Sequence, residues 1–216
     1  MAAHQVFKPK VIALEGALGR LVVDSSLHAR FLNTLSRLEF LEAQRGVASV
    51  DLHVFRRETL QFHVEGTRHA WMFKKLACRL DGRVADSFGH QATFAGDAWD
   101  EYQAALEAAV NTTLQEASAT LTTAESGART CASWLAAHRL IELYSVYEPM
   151  LAASGIPNVV AVIIEDKLVH IESLGEQLAA LDDDLSTYLE ALSDVESNCF
   201  RRFWGHIEAC VEVAAA

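Results

Sequence analysis

Gln61–Leu80 reads QFHVEGTRHAWMFKKLACRL, and its spacing decides the fold. Phe55, Thr59, Phe62, Gly66, His69, Phe73, Leu76 and Leu80 follow one another by steps of four or three. Those steps keep them on one face of an α-helix. Gly66 and His69 are therefore predicted to face the interior, with Glu65 at the edge of that face, one turn from His69. A second stretch repeats the scheme through Ile156, Val160, Ile163, Lys167, His170, Leu174, Leu178 and Leu181. There Asp166 stands one turn before His170, as Glu65 does before His69. The inward position three residues ahead of the histidine holds Gly66 in the first stretch and Lys167 in the second.

The remaining chain reads as further helices. Hydrophobic residues make up 51% with only 3 prolines, a composition that favours an all-α chain. Val11–Val23 reads as a short helix or arm. Asp24-Ser25-Ser26 offers N-cap chemistry for a helix to about Gln44, with Leu32, Leu35, Glu39 and Glu42 inward or nearly so and Gly46 as its stop. Ser49 or Asp51 starts the next helix, which runs to Leu80. Gly82–Gly96 is polar and reads as the start of a long crossover. Ala98–Thr122 turns Trp99, Tyr102, Leu106, Val110 and Leu114 to one side. Thr130–Ala153 carries an inner stripe of Cys131, Leu135, His138, Glu142 and Val146. Ser154–Pro157 turns the chain, with Pro157 in the first turn of the following helix. Asp182–Asp184 breaks that helix, and a last one covers Leu185–Val213 with Tyr188, Leu192, Val195, Phe203, Ile207 and Val211 inward. Length and the absence of a linker favour one domain over residues 1–216.

Net charge of −11 argues against a nucleic-acid partner. No uncharged run is long enough to span a bilayer. The four cysteines form no Cys-x-x-Cys pair and read as reduced thiols. A cytoplasmic location is the expectation.

HVEGTRHAWMFKKLA resembles the acidic-Glu-x-Arg-His-Ala helix of the ferritin-like superfamily, and IIEDKLVHIESLGEQL is similar to its partner helix. Proteins of that class bind two irons with Glu-x-x-His from two helices and one Glu from each of two others. Glu39 in LSRLEFLEAQR and Glu142 in HRLIELYSVYEP match the single-Glu helices. Gly66 follows Glu39 by 27 residues and Lys167 follows Glu142 by 25, so the two halves echo each other. The resemblance covers about Ser25–Leu80 and Thr130–Leu181. It implies a ferritin-like four-helix bundle with additional helices, and a homodimer.

The departure lies at the heart of the motif, because Gly66 and Lys167 replace both Glu-x-x-His glutamates. One reading is a degenerate site, non-catalytic and structural or binding in role, in which the Lys167 ammonium takes the metal's place between Glu39 and Glu142. A second keeps one transition metal ion (iron, manganese or zinc) on Glu39, His69, Glu142 and His170, with Glu65 and Asp166 orienting the imidazoles. A third is a two-metal oxidoreductase or oxygenase acting on a small organic substrate, with Glu42, Glu65 or Asp166 taking over the lost roles. Gly66 either lets helices approach closely or opens a cavity for a small-molecule ligand in the bundle core. Restoring glutamate at 66 and 167 is expected to restore iron binding. A histidine on an apolar face is more often a core residue with a satisfied hydrogen bond. Glu42, Glu58 and Glu148 read as solvated, and Tyr144 and Tyr147 as packed rings with a wet hydroxyl.

Overall fold

The computed structural model describes residues 7, 9–48, 57–84, 87–116, 127–181 and 185–215. Among these residues the chain is all-helical and holds no strand. The α-helices are α1 (Glu15–Val23), α2 (Ser25–Ala48), α3 (Arg57–Leu80), α4 (Ala98–Glu116), α5 (Gly127–Ala153), α6 (Val160–Leu181) and α7 (Leu189–Ala215). Short 3₁₀ turns cover Gly82–Val84 and Leu185–Tyr188. The predicted start at Ser49 or Asp51, the seam residue Phe55, the helix end at Thr122 and the break at Asp182–Asp184 lie outside the described residues.

Local chemistry explains several boundaries. Asp24 caps α2, its Oδ1 accepting the Ser26 and Leu27 amides at 2.9 Å each. Gly155 closes α5 at φ +73°, in the left-handed region that glycine enters without steric cost. The Asn158 side chain accepts the Val160 amide at 3.1 Å, so α6 starts three residues later than Pro157 suggests.

The chain forms two compact units. The first comprises Met1–Ala13, Asp97–Ser145 and Lys167–Gly205; the second comprises Leu14–Gly96, Val146–Asp166 and His206–Ala216.

In the second unit α2 packs on α3 through small residues. A Cβ added at Gly66 would lie 2.9 Å from the Ala43 Cβ, so the missing side chain is what lets the helices touch. Gly46 is no stop signal: it lies inside α2, with the Phe62 ring against it. Ser36 Oγ donates to the Ala70 carbonyl at 2.7 Å across the same pair of helices. The polar stretch after α3 is folded onto α2 and not merely a connection. Asn33 Nδ2 donates to the Ser87 and Ala92 carbonyls at 3.0 and 2.8 Å, and the Phe94 amide donates to Thr34 Oγ1 at 2.8 Å. Side chains of α2 thus satisfy backbone groups that no ladder reaches.

In the first unit α4 buries Trp99, Tyr102, Leu106, Val110 and Leu114, as its spacing predicts. Trp99 meets Phe203 edge-on at 5.3 Å, and Tyr102 meets Phe200 at 5.8 Å, which seats α4 on α7.

Gly66→Ala is expected to lose about 1–3 kcal/mol by overpacking, against a helix-propensity gain of about 1 kcal/mol. Gly16→Ala, with nothing within 4 Å of the added carbon, keeps that gain. Urea unfolding of both variants beside the parent checks the opposite signs.

Candidate ion-paired site

The predicted site residues fall in both units. Glu39 and His69 are fully buried in the second unit, on α2 and α3. His69 Nδ1 lies 3.2 Å from Glu39 Oε2, and its Nε2 lies 2.7 Å from Asp166 Oδ2. Each ring nitrogen thus faces a carboxylate oxygen. Both contacts are hydrogen bonds when both nitrogens carry hydrogen, the imidazolium form. Asp166 also pairs with the exposed Arg68. Burial works to raise the Asp166 pKa; the hydrogen bond and charge of His69, together with Arg68, overrule it and hold the carboxyl below its ordinary range.

This arrangement differs from the spacing-based expectation. Asp166, the acid one turn ahead of His170, reaches His69 on another helix, whereas Glu65 accepts from Gln61 Nε2 at 2.8 Å on its own. Gly66 sits at the α2–α3 contact, where a glutamate would have to displace Ala43. Glu42 is buried and not solvated.

In the first unit Glu142, Lys167 and His170 carry the remaining expectations. Lys167 is 5% exposed, and its Nζ lies 6.0 Å from the centre of the Tyr144 ring, at the edge of cation–π range. His170 is buried. Glu142 is only half-buried and is paired with Arg139, three residues earlier on α5.

Arg139 is the residue that spacing missed. It has no exposed surface, and neither has its partner Glu196 on α7. Arg139 Nε donates to Glu196 Oε1 at 2.9 Å, and Nη2 donates to Oε2 at 2.6 Å, a forked pair. Nη2 also donates to Ser197 Oγ at 2.9 Å, and Nη1 to the Lys10 carbonyl at 3.1 Å. Tyr102 adds its hydroxyl to Glu196 at 3.1 Å. Burial acts against the Arg139 charge; the hydrogen bonds and charges of Glu196 and Glu142 overrule it and keep the guanidinium protonated.

A further buried polar pair lies in the second unit. His28 Nε2 and the Tyr147 hydroxyl form a hydrogen bond, and both side chains are buried, so this hydroxyl is dry and not wet. Burial lowers His28 to about 4 and pushes Tyr147 above its ordinary value.

A transition metal needs nitrogen and carboxylate lone pairs that are not already engaged. Glu39 and both nitrogens of His69 are engaged with one another and with Asp166, and Glu142 is engaged with Arg139. So arranged, Glu39, His69 and Glu142 are committed to one another and to neighbouring side chains. Among the described residues no group of three or more His, Cys, Asp or Glu is placed to hold one. No helix among them is long and apolar enough to cross a membrane. Compared with known proteins, the chain matches no family model, no curated protein and no solved structure.

Replacing Arg139 by Met alone leaves Glu196 buried without its cation and is expected to cost about 3–5 kcal/mol; replacing both by Met recovers most of that. Chemical denaturation of the single and double variants checks the non-additivity. A second prediction concerns pH. His28 takes up its proton at about 4 when folded and at 6.5 when unfolded. The unfolded chain therefore binds more protons between these values. Stability is full above pH 6.5 and falls by about 3 kcal/mol down to pH 4 through this residue. In His28→Gln that part of the slope disappears, as urea unfolding from pH 7 to pH 4 would measure.

Proposed function

We propose that this chain is a ferritin-like helical-bundle protein in which ion pairs have replaced the metal centre. It works as a non-catalytic structural or binding component. The observation that carries the reading is the bracketing of His69 by Glu39 and Asp166, which commits the histidine and the lone glutamate of one half-motif to each other. The resemblance of HVEGTRHAWMFKKLA and IIEDKLVHIESLGEQL to the paired histidine helices supports the ferritin-like lineage. The Arg139–Glu142 pair supports the same loss of ligation in the other half.

A centre that works on oxygen needs carboxylates able to bridge two metals and leave positions open. Glycine at 66 supplies none. The buried ammonium of Lys167 adds positive charge where the Glu-x-x-His pattern places a bridging glutamate. These residues favour a role in holding helices and partners over a role in turnover.

Protein purified from cultures supplied with iron, manganese and zinc is expected to carry metal well below one ion per chain by elemental analysis. Its melting temperature is expected to be unchanged by EDTA. One or two ions per chain, lost in His69→Ala, would overturn the reading in favour of a metal-dependent oxidoreductase.

A further inference from the structure

Phe7 and residues 9–13 of the first unit take no regular secondary structure and are held at two points. At the first, Phe7 is buried, its ring 5.2 Å from Trp134 and 5.1 Å from His138 on α5. At the second, side chains of α5 and α7 grip the backbone of Lys10. Its amide donates to Ser197 Oγ at 3.3 Å, and its carbonyl accepts from Arg139 Nη1 at 3.1 Å. The Lys10 ammonium pairs with Asp194. Beyond Lys10 the grip ends: Val11 is 89% exposed.

We infer that Trp134, His138, Arg139, Asp194 and Ser197 form a docking slot for a non-helical peptide, with Phe7 and residues 9–13 as its resident and displaceable occupant. The ligand it selects has an aromatic residue followed three positions later by a basic one.

Three features favour a slot over simple core packing. The backbone grip on Lys10 reads any residue that offers both an amide and a carbonyl, the mode by which peptide-binding grooves take extended segments. Pro9 fixes its own φ and leaves no amide hydrogen to satisfy, so the segment loses little entropy on docking. His138 Nε2, on the ring that meets Phe7, is buried without a partner among the described residues and is left for a docked segment to satisfy. Burial holds His138 down to about 4, so its imidazole is neutral at pH 7 and Nε2 presents no charge to the ring beside it.

The probe is the labelled peptide FKPKVIA, titrated against the full chain carrying Phe7→Ala and followed by fluorescence anisotropy. Saturable binding of one peptide per chain is expected. Affinity for the parent should be at least about tenfold weaker, because the resident segment competes at the millimolar effective concentration of a tethered ligand. A peptide with alanine in place of phenylalanine, or Trp134→Leu added to the protein, should abolish binding. The inference is overturned if helical Phe7→Ala protein binds no peptide at millimolar concentration. Binding that ignores the peptide's phenylalanine or Trp134 also overturns it. So does loss of helical circular dichroism in Phe7→Ala, which would make Phe7 a core residue and not a seated one.

Discussion

A charge removed from water has to meet an opposite charge, and each unit of this chain buries side chains that answer that demand. In the first unit Arg139 is forked onto Glu196. In the second the His69 ring lies between the carboxylates of Glu39 and Asp166. The cost of stripping water from such ions runs to several kcal/mol each, so only near-ideal geometry returns it. That requirement fixes the register of α5 against α7 in one unit. In the other it fixes α3 against α2 and the first turns of α6. Apolar packing alone would tolerate slippage that these pairs do not.

The same demand can be met by a metal, and the residue types involved overlap. Carboxylates gathered between helices need positive charge from somewhere, whether an ion or a side chain supplies it. On the proposed reading the change from metal to side chain involves more than the loss of two glutamates. Gly66 brings α2 and α3 into contact at Ala43, which removes the room that a glutamate would occupy. On that same reading the helix contact and the absent glutamate go together, so building a carboxylate at 66 would require moving a helix as well.

Helices and their faces were legible because periodicity is a property of one segment at a time. The α3 seam, the α4 stripe, the Asp24 cap and the Gly155 turn all follow from residues close in sequence. Partners across helices were not legible. Spacing ranked Glu65 as the acid for His69 because it lies one turn away on the same helix, whereas Asp166 arrives from α6. Arg139 and Glu196 escaped notice because charged residues are assigned to solvent by default. Yet Leu192, Glu196, Cys199 and Phe203 step by four, three and four, the same seam signal that exposed His69. A charged residue on an otherwise apolar seam was the available sign, and it calls for a search for the opposite charge on another helix. The stretch after α3 misled for a different reason. Its polarity suggested the start of a long crossover, but several of its backbone groups are satisfied by polar side chains of α2.

The non-helical segment completes this electrostatic logic. A guanidinium carries five N–H groups. Those of Arg139 meet Glu196, Ser197, Glu142 and, last, the carbonyl of Lys10. Without a carbonyl at that place one donor of a fully buried cation loses its acceptor, a cost of about 1–3 kcal/mol. What Arg139 requires there is a backbone oxygen, which every residue possesses. Sequence enters only through Phe7 in its aromatic seat and the Lys10 ammonium at Asp194. The need to cover Arg139 is therefore general, while the choice of what covers it rests on two side chains.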